Sequence, residues 1–590
     1  MVVCCWGVVF FIFFEKYVDF LSNMMYRFSY LLKKEIPMSE LGTKYIFVGG
    51  NNVNRIGGSC SVIEHKYDKM RPPTRIMLDL GALFAPDDCM DVDAIMPDVR
   101  KYLNKPGELA EQNIDALFLS HAHEDHIGGY VHLMRAGYEM PPTYASKGTL
   151  ELLKYALNEA GVDYNKWPKM IEVESGVPVK FNEVEVEGID VSHSTFGAMG
   201  FHILTTINNQ DEAGIFHLGD FHLGKVKIGN GFDEEKLKDL LQRKLLTDII
   251  LDSTSTSVSD EYLVDFDDAV KNTVEVVSEH KDKQVVSSVI SRSVQNLVID
   301  LEVARKTGRK VYIDGHWARL AYKAMKKAGI TEYDDVVFFR GASEYKATYS
   351  ESERYIIVSG AFAESKKGRK SGLFKMSEQE KIVKRKNNNK SSEKNKKRVC
   401  GHPDFEVGSN TLILARQRCI EEINGKQVRG MYARLAALGA TIVANVSEVP
   451  LGNFKTAKMQ RSGHAVLGEM KKLIQLIKKY AKNFNDIIFV PTHGNPKQLL
   501  ATCNIVKDEK GKLCFAINLD ILKMSKEETK KVGRVENEAW IGVCEEMNNT
   551  SGDRKYTYTL TDNNFIVLKE LMSTVVKGKV KKKVNLGNGR

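Results

Sequence analysis

None of the nine cysteines forms a CxxC pair, and they lie scattered from Cys4 to Cys544. That argues against a cysteine-built zinc site and against a disulfide framework, and it suits a reducing, cytoplasmic setting. Long apolar runs are missing too. Val2–Phe14 is uncharged and apolar, but its 13 residues fall short of the roughly 20 a bilayer span needs, and no positive charge precedes it. No stable membrane span is expected, and residues 1–37 read as an N-terminal extension outside the core. Internal repeats are absent. Histidine is scarce, 14 in 590 residues, so a local cluster of it carries information.

The net charge of +9 is concentrated. Lys366–Arg398 holds 14 basic and 3 acidic residues, and Lys577–Arg590 holds 6 basic and none acidic, which leaves the rest of the chain acidic. The first block has no sustained apolar period, so a disordered loop is expected there, of the kind that either serves as an arm for a polyanion or is merely solvated. A chain of this length implies two or three domains.

From Tyr45 to Leu80, short apolar runs alternate with turn signals and read as strands of a half-buried sheet. Ala116–Leu119 is a buried strand that runs into a loop and then a helix. After Asp252 the pattern changes to alternating helix and strand, the rhythm of a second α/β domain with a largely parallel sheet. The helix after His464 places Leu467, Met470, Ile474 and Ile477 on one face, which predicts a core-facing stripe.

The stretch Ser120–Gly129 reads SHAHEDHIGG and puts three imidazoles and a carboxylate within six residues, directly after that buried strand. Zinc takes histidine nitrogen and carboxylate oxygen at similar distances. A tight turn there aims His121 and His123 at one ion and Asp125 and His126 at a second. Three of so few histidines falling together by chance is improbable, so metal binding is the expected role. His132, His202, His217, His222 and His316 are lone histidines, expected to be packing or surface residues, and His402 reads as a loop residue.

HxHxDH is the signature of the metallo-β-lactamase superfamily, and further segments resemble that superfamily in order. Asp79 in RIMLDLG matches the residue that braces the ligand loop by hydrogen bonds. His193 in DVSHST matches the third ligand of the first ion, and Asp220 in FHLGDF the carboxylate that bridges both. The last histidine candidate, His493 in VPTHGNP, comes 273 residues after Asp220, with the second α/β domain between them. That arrangement resembles the β-CASP nucleases. Asp252 in LDSTS, His464 in RSGHA and His493 match their three motifs, and several segments resemble the ribonuclease J family over about Tyr45–Leu500. Two departures stand out. Asn495 replaces a glutamate usual in the family, and NTLILARQRCIEE replaces a stretch richer in proline and glycine.

The resemblance implies an α/β fold, a metallo-β-lactamase αββα sandwich with an inserted α/β β-CASP domain and a small C-terminal module. The expected boundaries are 38–252 and 451–504 for the two parts of the sandwich and 253–450 for the insertion, with the disordered basic insert at 366–399. Residues 505–590 are expected to form the C-terminal module with its basic tail. The implied metal ligands are His121, His123, Asp125, His126, His193, Asp220 and His493, holding two divalent ions, zinc by preference, with manganese or magnesium as alternatives. Asp125, Asp252 and His464 are the expected catalytic residues, His464 as general acid oriented by Asp252. The turn Ser462, Gly463, His464 and Ala465 is expected to offer N–H groups to a phosphate. The implied activity is hydrolysis of RNA phosphodiester bonds, with single-stranded RNA as partner and a homodimer or larger oligomer as an open alternative. RNA-processing members carry histidine at the last motif, as here, whereas DNA-repair members carry an aliphatic residue. A DNA nuclease or small-ester hydrolase of the same fold, and a non-catalytic RNA-binding subunit, are the competing readings.

Overall fold

The computed structural model describes residues 41–50, 56–84, 94–288, 293–360, 370–379, 402–416 and 425–514, together with the strands Asp520–Met524, Thr529–Arg534, Trp540–Met547 and Arg554–Thr561. In the strand Gly42–Gly49, Tyr45 and Phe47 project to one side and Ile46 and Val48 to the other, and all four are buried. A strand covered on both faces must lie between two layers. The layers are a partner sheet on one side and helices on the other.

The first sheet has eight strands, ordered Thr529–Arg534, Asp520–Met524, Gly42–Gly49, Cys60–Lys66, Thr74–Leu78, Ala116–Phe118, Thr143–Ala145 and Met170–Glu172. The second has seven, running from Lys512–Leu513 through Ile488–Thr492, Asp248–Asp252, Gln210–His217, Met199–Ile207 and Val184–Asp190 to Pro178–Phe181. Tyr45, Ile63, Leu78 and Phe118 of the first sheet meet Phe201, Ile203, Ile250 and Val490 of the second in one continuous core. Phe118 is fully buried there, with its ring 5.3 Å from that of Phe201, so its truncation to alanine would cost about 3–5 kcal/mol. On the outer face of the first sheet, Ile46, Val62 and Met77 pack against the helices Glu124–Arg135 and Lys147–Glu159. On the outer face of the second sheet, Phe216, Ile249 and Phe489 pack against Glu234–Arg243, Leu467–Tyr480 and Pro496–Asp508. The result is the four-layered αββα sandwich.

Between residues 252 and 488 the chain builds a third sheet of six strands, all parallel, in the order Lys310–Ile313, Arg354–Val358, Gln284–Ser288, Thr411–Ala415, Thr441–Asn445 and Lys455–Ala457. Alternate residues feed separate cores on its two faces, Val285 and Leu412 into one, Val286 and Ile413 into the other. Parallel strands joined by helices need both faces covered, which is why these segments read as unbroken apolar runs.

Three expectations need correction. The region 366–399 was expected to be disordered, yet Gly372–Ser377 is helical, and Leu373 and Met376 are fully buried against the inserted domain. Two apolar residues one turn apart suffice to dock a short helix, and the surrounding lysines mask so brief a period. Residues 361–369 and 380–401 lie outside the described residues. A small C-terminal module was expected to begin at 505, but the helix Pro496–Asp508 runs through that boundary, Lys512–Leu513 extends the second sheet, and Asp520–Met524 pairs antiparallel with Gly42–Gly49 in the first. Trp540–Met547 pairs with Ala94–Pro97 in a small fourth sheet. Finally, Leu467 is 42% exposed, and the buried stripe of its helix is Met470, Leu473, Ile474 and Ile477. Leu467 is the first residue of that helix, where its N–H binds the Val258 carbonyl.

Candidate metal centre

Five loops leave the carboxyl ends of sandwich strands on one rim. His121 follows Ala116–Phe118, His193 follows Val184–Asp190 and Asp220 follows Gln210–His217. Asp252 ends its strand, and His493 is the first residue after Ile488–Thr492. The fourth and fifth strands of this set are brought together by a crossover that contains the third sheet, since Asp248–Asp252 pairs in parallel with Ile488–Thr492.

The turn that carries His121–His126 is held from below. Leu80 and Ala82 donate backbone hydrogen bonds to the carbonyls of His126 and Glu124. Gly81 lies so close that a Cβ there would sit 1.7 Å from the Asp125 carbonyl oxygen. Asp79, in the left-handed region at φ 56°, accepts from Ser120 N (2.7 Å), Ser120 Oγ (2.8 Å) and His126 Nδ1 (2.8 Å). Its carboxylate thereby sets the direction of His126 Nε2.

His121, His123 and His193 form the first cluster. The Nε2 atoms of His121 and His193 lie 3.1 and 3.0 Å from His123 Nδ1. Each ring is tied at its other nitrogen, His121 Nδ1 by Ser120 Oγ at 3.0 Å, His193 Nδ1 by the Gly463 carbonyl at 2.6 Å and His123 Nε2 by Ser194 Oγ at 3.2 Å. Such partners fix the tautomers and leave three lone pairs pointing at one another. Burial above all, and the neighbouring imidazoles next, push His121 and His193 well below the usual histidine range. Three neutral donors this close repel one another unless a cation lies between them. Tetrahedral ligands at about 2.0–2.1 Å stand about 3.3 Å apart, so the cluster fits such an ion.

Asp125, His126, Asp220 and His493 form the second cluster. Asp220 Oδ2 is 3.3 Å from His126 Nε2 and 3.8 Å from His121 Nε2, between the two groups. Asp220 Oδ2 and His493 Nε2 are buried without a hydrogen-bond partner, which in a polar interior marks a place for a ligand. Burial lowers His493, but the charge of Asp220 and then the carboxylates of Asp125 and Asp252, each 3.5 Å away, outweigh it and raise the imidazole to about 10. The cluster is thus rich in negative charge, and the donor set of two carboxylates and two imidazoles suits a divalent cation. Asp220, Asp252, His464 and His493 converge as a third group that shares two of these residues.

His464 stands between the clusters, its ring 5.1 Å from that of His193 and 6.0 Å from that of His493. Its Nδ1 lies 2.8 Å from Asp252 Oδ2. In the turn Ser462, Gly463, His464 and Ala465, expected to offer N–H groups to a phosphate, one of those groups is already engaged within the protein. His464 N–H donates to Ser462 Oγ, Ala465 is packed in the core at 1% exposure, and Gly463 uses its carbonyl to hold His193. Gly463 approaches so closely that a Cβ would lie 2.8 Å from His193 Cε1.

The structure also brings in residues that the motif pattern does not single out. Thr254 Oγ1 lies 2.7 Å from Asp252 Oδ1 and 2.8 Å from His493 Nδ1, so one hydroxyl holds both residues. Asn495, at the departure from the family pattern, caps the helix Pro496–Asp508 by accepting from Gln498 N. Among the lone histidines, His202 and His222 are buried, His316 is largely exposed and pairs with Glu159, and none joins a metal-type cluster among the described residues.

Residues 90–240 match the Beta-lactamase superfamily domain. Ribonuclease J from Helicobacter pylori is 23% identical over 476 residues, covering 79% of this chain and 59% of that protein. Ribonuclease J from Mycobacterium tuberculosis is 24% identical over 474 residues, 80% of this chain and 72% of that one. The chain therefore spans less than two thirds of the length of its Helicobacter relative. A crystal structure of a protein of unknown function from Enterococcus faecalis superposes with a TM-score of 0.51 at 17% identity, over 83% of this chain and all of the other, which supports the fold. No described helix is long and apolar enough to cross a membrane. With the αββα sandwich and the histidine–aspartate rim in place, these matches make the chain similar to the metallo-β-lactamase superfamily, with ribonuclease J among the proteins it resembles.

Proposed function

We propose that this chain is a metal-dependent ribonuclease that hydrolyses RNA phosphodiester bonds. The observation that carries the proposal is the convergence of His121, His123 and His193 nitrogens to 3.0–3.1 Å beside a second, carboxylate-rich cluster, with the His464–Asp252 pair overlooking both. Two divalent cations held by these clusters would supply Lewis-acid stabilisation of phosphoryl charge and acidify a water. His121, His123 and His193 would hold one, Asp125, His126 and His493 the other, and Asp220 would face both.

The protein's own contribution is position and protons. Asp252 accepts from His464 Nδ1, so the proton that His464 can deliver to a departing ribose oxygen resides on Nε2. Burial disfavours the charged imidazole, but Asp252 and then Asp220 more than offset it and raise His464 above the ordinary histidine value, which keeps a proton available. Thr254 holds His493 and Asp252 in one register, and Asp79 orients His126. RNA as the substrate rests on the names of the relatives and on the concentrated basic charge of the sequence.

The test is a metal titration of the purified chain followed by incubation with end-labelled RNA and DNA of the same sequence. Loss of RNA cleavage on chelation, with recovery on adding zinc or manganese, is expected. Cleavage of DNA alone would make it a DNA nuclease, and metal and RNA binding without cleavage would make it a non-catalytic subunit. His464→Ala should keep both metals and lower turnover by roughly 10²–10⁴. Loss of one metal in that variant would make His464 a ligand of the third group instead.

A further inference from the structure

A basic residue three positions before the candidate general acid, in a protein that handles RNA, invites assignment as a phosphate contact. Arg461 has no room for that role. It is 7% exposed, and every nitrogen of its guanidinium is engaged with protein. Nη2 donates to Glu469 Oε1 at 2.6 Å, and Nη1 donates to Asp265 Oδ1 at 2.7 Å and to the Val264 carbonyl at 3.1 Å. Nε donates to His222 Nδ1 at 3.3 Å. The guanidinium also lies against Gly224, where a Cβ would come within 2.0 Å of Nη2.

These partners belong to the loop that supplies the proposed bridging carboxylate. His222 and Gly224 follow Asp220, and Leu223 N donates to the same Glu469 Oε1 that Arg461 engages. His222 N in turn bonds to the carbonyl of Ser192, the residue before His193. His222 Nδ1 accepts from both Arg461 Nε and Gly224 N, the latter at 3.1 Å. On the far side, the segment of Arg461 continues into Gly463, which grips His193, and His464, which pairs with Asp252. Arg416 and Asn445 of the inserted domain anchor the start of the same segment, Arg416 Nη1 on the Met459 carbonyl and Asn445 Oδ1 on the Met459 and Gln460 amides.

We infer that Arg461 is a positioning residue that fixes His464 relative to the Asp220 and His193 loops, and that it makes no contact with the nucleic acid. The inference rests on the ribonuclease reading and on His464 as its proton donor. A charged clamp suits the task because its several donors are fixed in one plane, so they hold the loops on either side at a set distance and angle.

The test uses the metal-loaded full chain and the variants Arg461→Met, Arg461→Lys, Glu469→Gln and His464→Ala. Two substrates are compared, an RNA oligonucleotide and a nitrophenyl ester of a nucleoside monophosphate, whose nitrophenolate departs without needing a proton. Arg461→Met is expected to lower turnover on RNA by roughly 10–100-fold, within the range a displaced general acid can lose, and to leave turnover of the nitrophenyl ester largely intact. RNA affinity, its salt dependence and zinc content should be unchanged. Arg461→Lys and Glu469→Gln, which retain the side-chain volume, should show the same selective loss in weaker form, and they carry the test if the methionine variant does not fold. A salt slope reduced by about 0.7, with weakened RNA binding, would identify a phosphate contact and overturn the inference. Equal losses on both substrates from Arg461→Met while His464→Ala remains selective would also overturn it. The double variant Arg461→Met/His464→Ala separates the two levels, because a residue acting through His464 adds no further loss to His464→Ala. Additive losses would refute the positioning role. If His464→Ala itself slows both substrates alike, the proton-donor reading fails, while an absence of additivity would still tie Arg461 to His464.

Discussion

Replacing Asp79 by asparagine probes how the second cluster is set up. Asparagine is nearly isosteric and tolerates the left-handed backbone at φ 56° better than most residues, so the change isolates hydrogen bonding. The carboxylate accepts three hydrogen bonds, one at Oδ1 from Ser120 N and two at Oδ2 from Ser120 Oγ and His126 Nδ1. An amide must put its NH₂ at one of these places. At the Oδ1 position it would face the Ser120 N–H, donor against donor, and distort the turn that carries His121. At the Oδ2 position it would donate to His126 Nδ1 and force that ring's proton onto Nε2, the atom aimed at Asp220. The second outcome disturbs less backbone and removes one lone pair from the second cluster. Loss of such an outer partner typically costs 10–100-fold in metal affinity, or about 1.4–2.7 kcal/mol. Equilibrium dialysis against a buffered zinc series, read by atomic absorption, should show one ion released at a free-zinc level where the unaltered chain keeps two. An unchanged binding curve, or parallel weakening of both ions, would refute this account of Asp79.

Three further outcomes can be checked. Burial pulls His202 down to about 4, against the opposing hydrogen bond from Nε2 to the Leu245 carbonyl, so the folded chain keeps it neutral while the unfolded chain takes up a proton below about pH 6.5. Its contribution is complete above pH 6.5 and is lost as pH falls toward 4, about 2 kcal/mol of it between pH 7 and pH 5, and denaturant titrations of His202→Gln should lack that part of the pH dependence. Thr254→Val should reduce RNA turnover by roughly 10-fold or more while Thr254→Ser retains most of it, and matching kinetics for the two would dismiss the hydroxyl. Gly463→Ala drives a methyl into His193, so zinc titration should show the three-histidine site weakened and the carboxylate-rich site intact.

How much of this was legible depends on distance along the chain. His121, His123, Asp125 and His126 announce themselves because a metal-binding turn is local. His193, Asp220 and His493 are each an ordinary residue after an apolar run, and only their order made them candidates. The parallel sheet of the inserted domain was readable from unbroken apolar runs such as Val285–Val286 and Leu412–Leu414. Residues whose role arises from a partner far away in sequence left no signal. Thr254 meets His493 across 239 positions, and Arg461 meets His222 across another 239. The helix Gly372–Ser377 was hidden by the lysines around its two buried residues, and the return of Asp520–Met524 to the first sheet is a matter of tertiary pairing that local pattern does not encode.

The parallel pairing of Asp248–Asp252 with Ile488–Thr492 also orders events during synthesis. The first strand leaves the ribosome with His121, His123, His193 and Asp220 already made, but its neighbour and His493 follow about 240 residues later. At about 5–20 residues per second, that is an interval of roughly 10–50 s. The inserted parallel sheet can form in that interval from its own contiguous segments, whereas the rim of the sandwich cannot close. The nascent chain is therefore incomplete at its histidine–aspartate rim until Ile488–Thr492 and His493 have been translated.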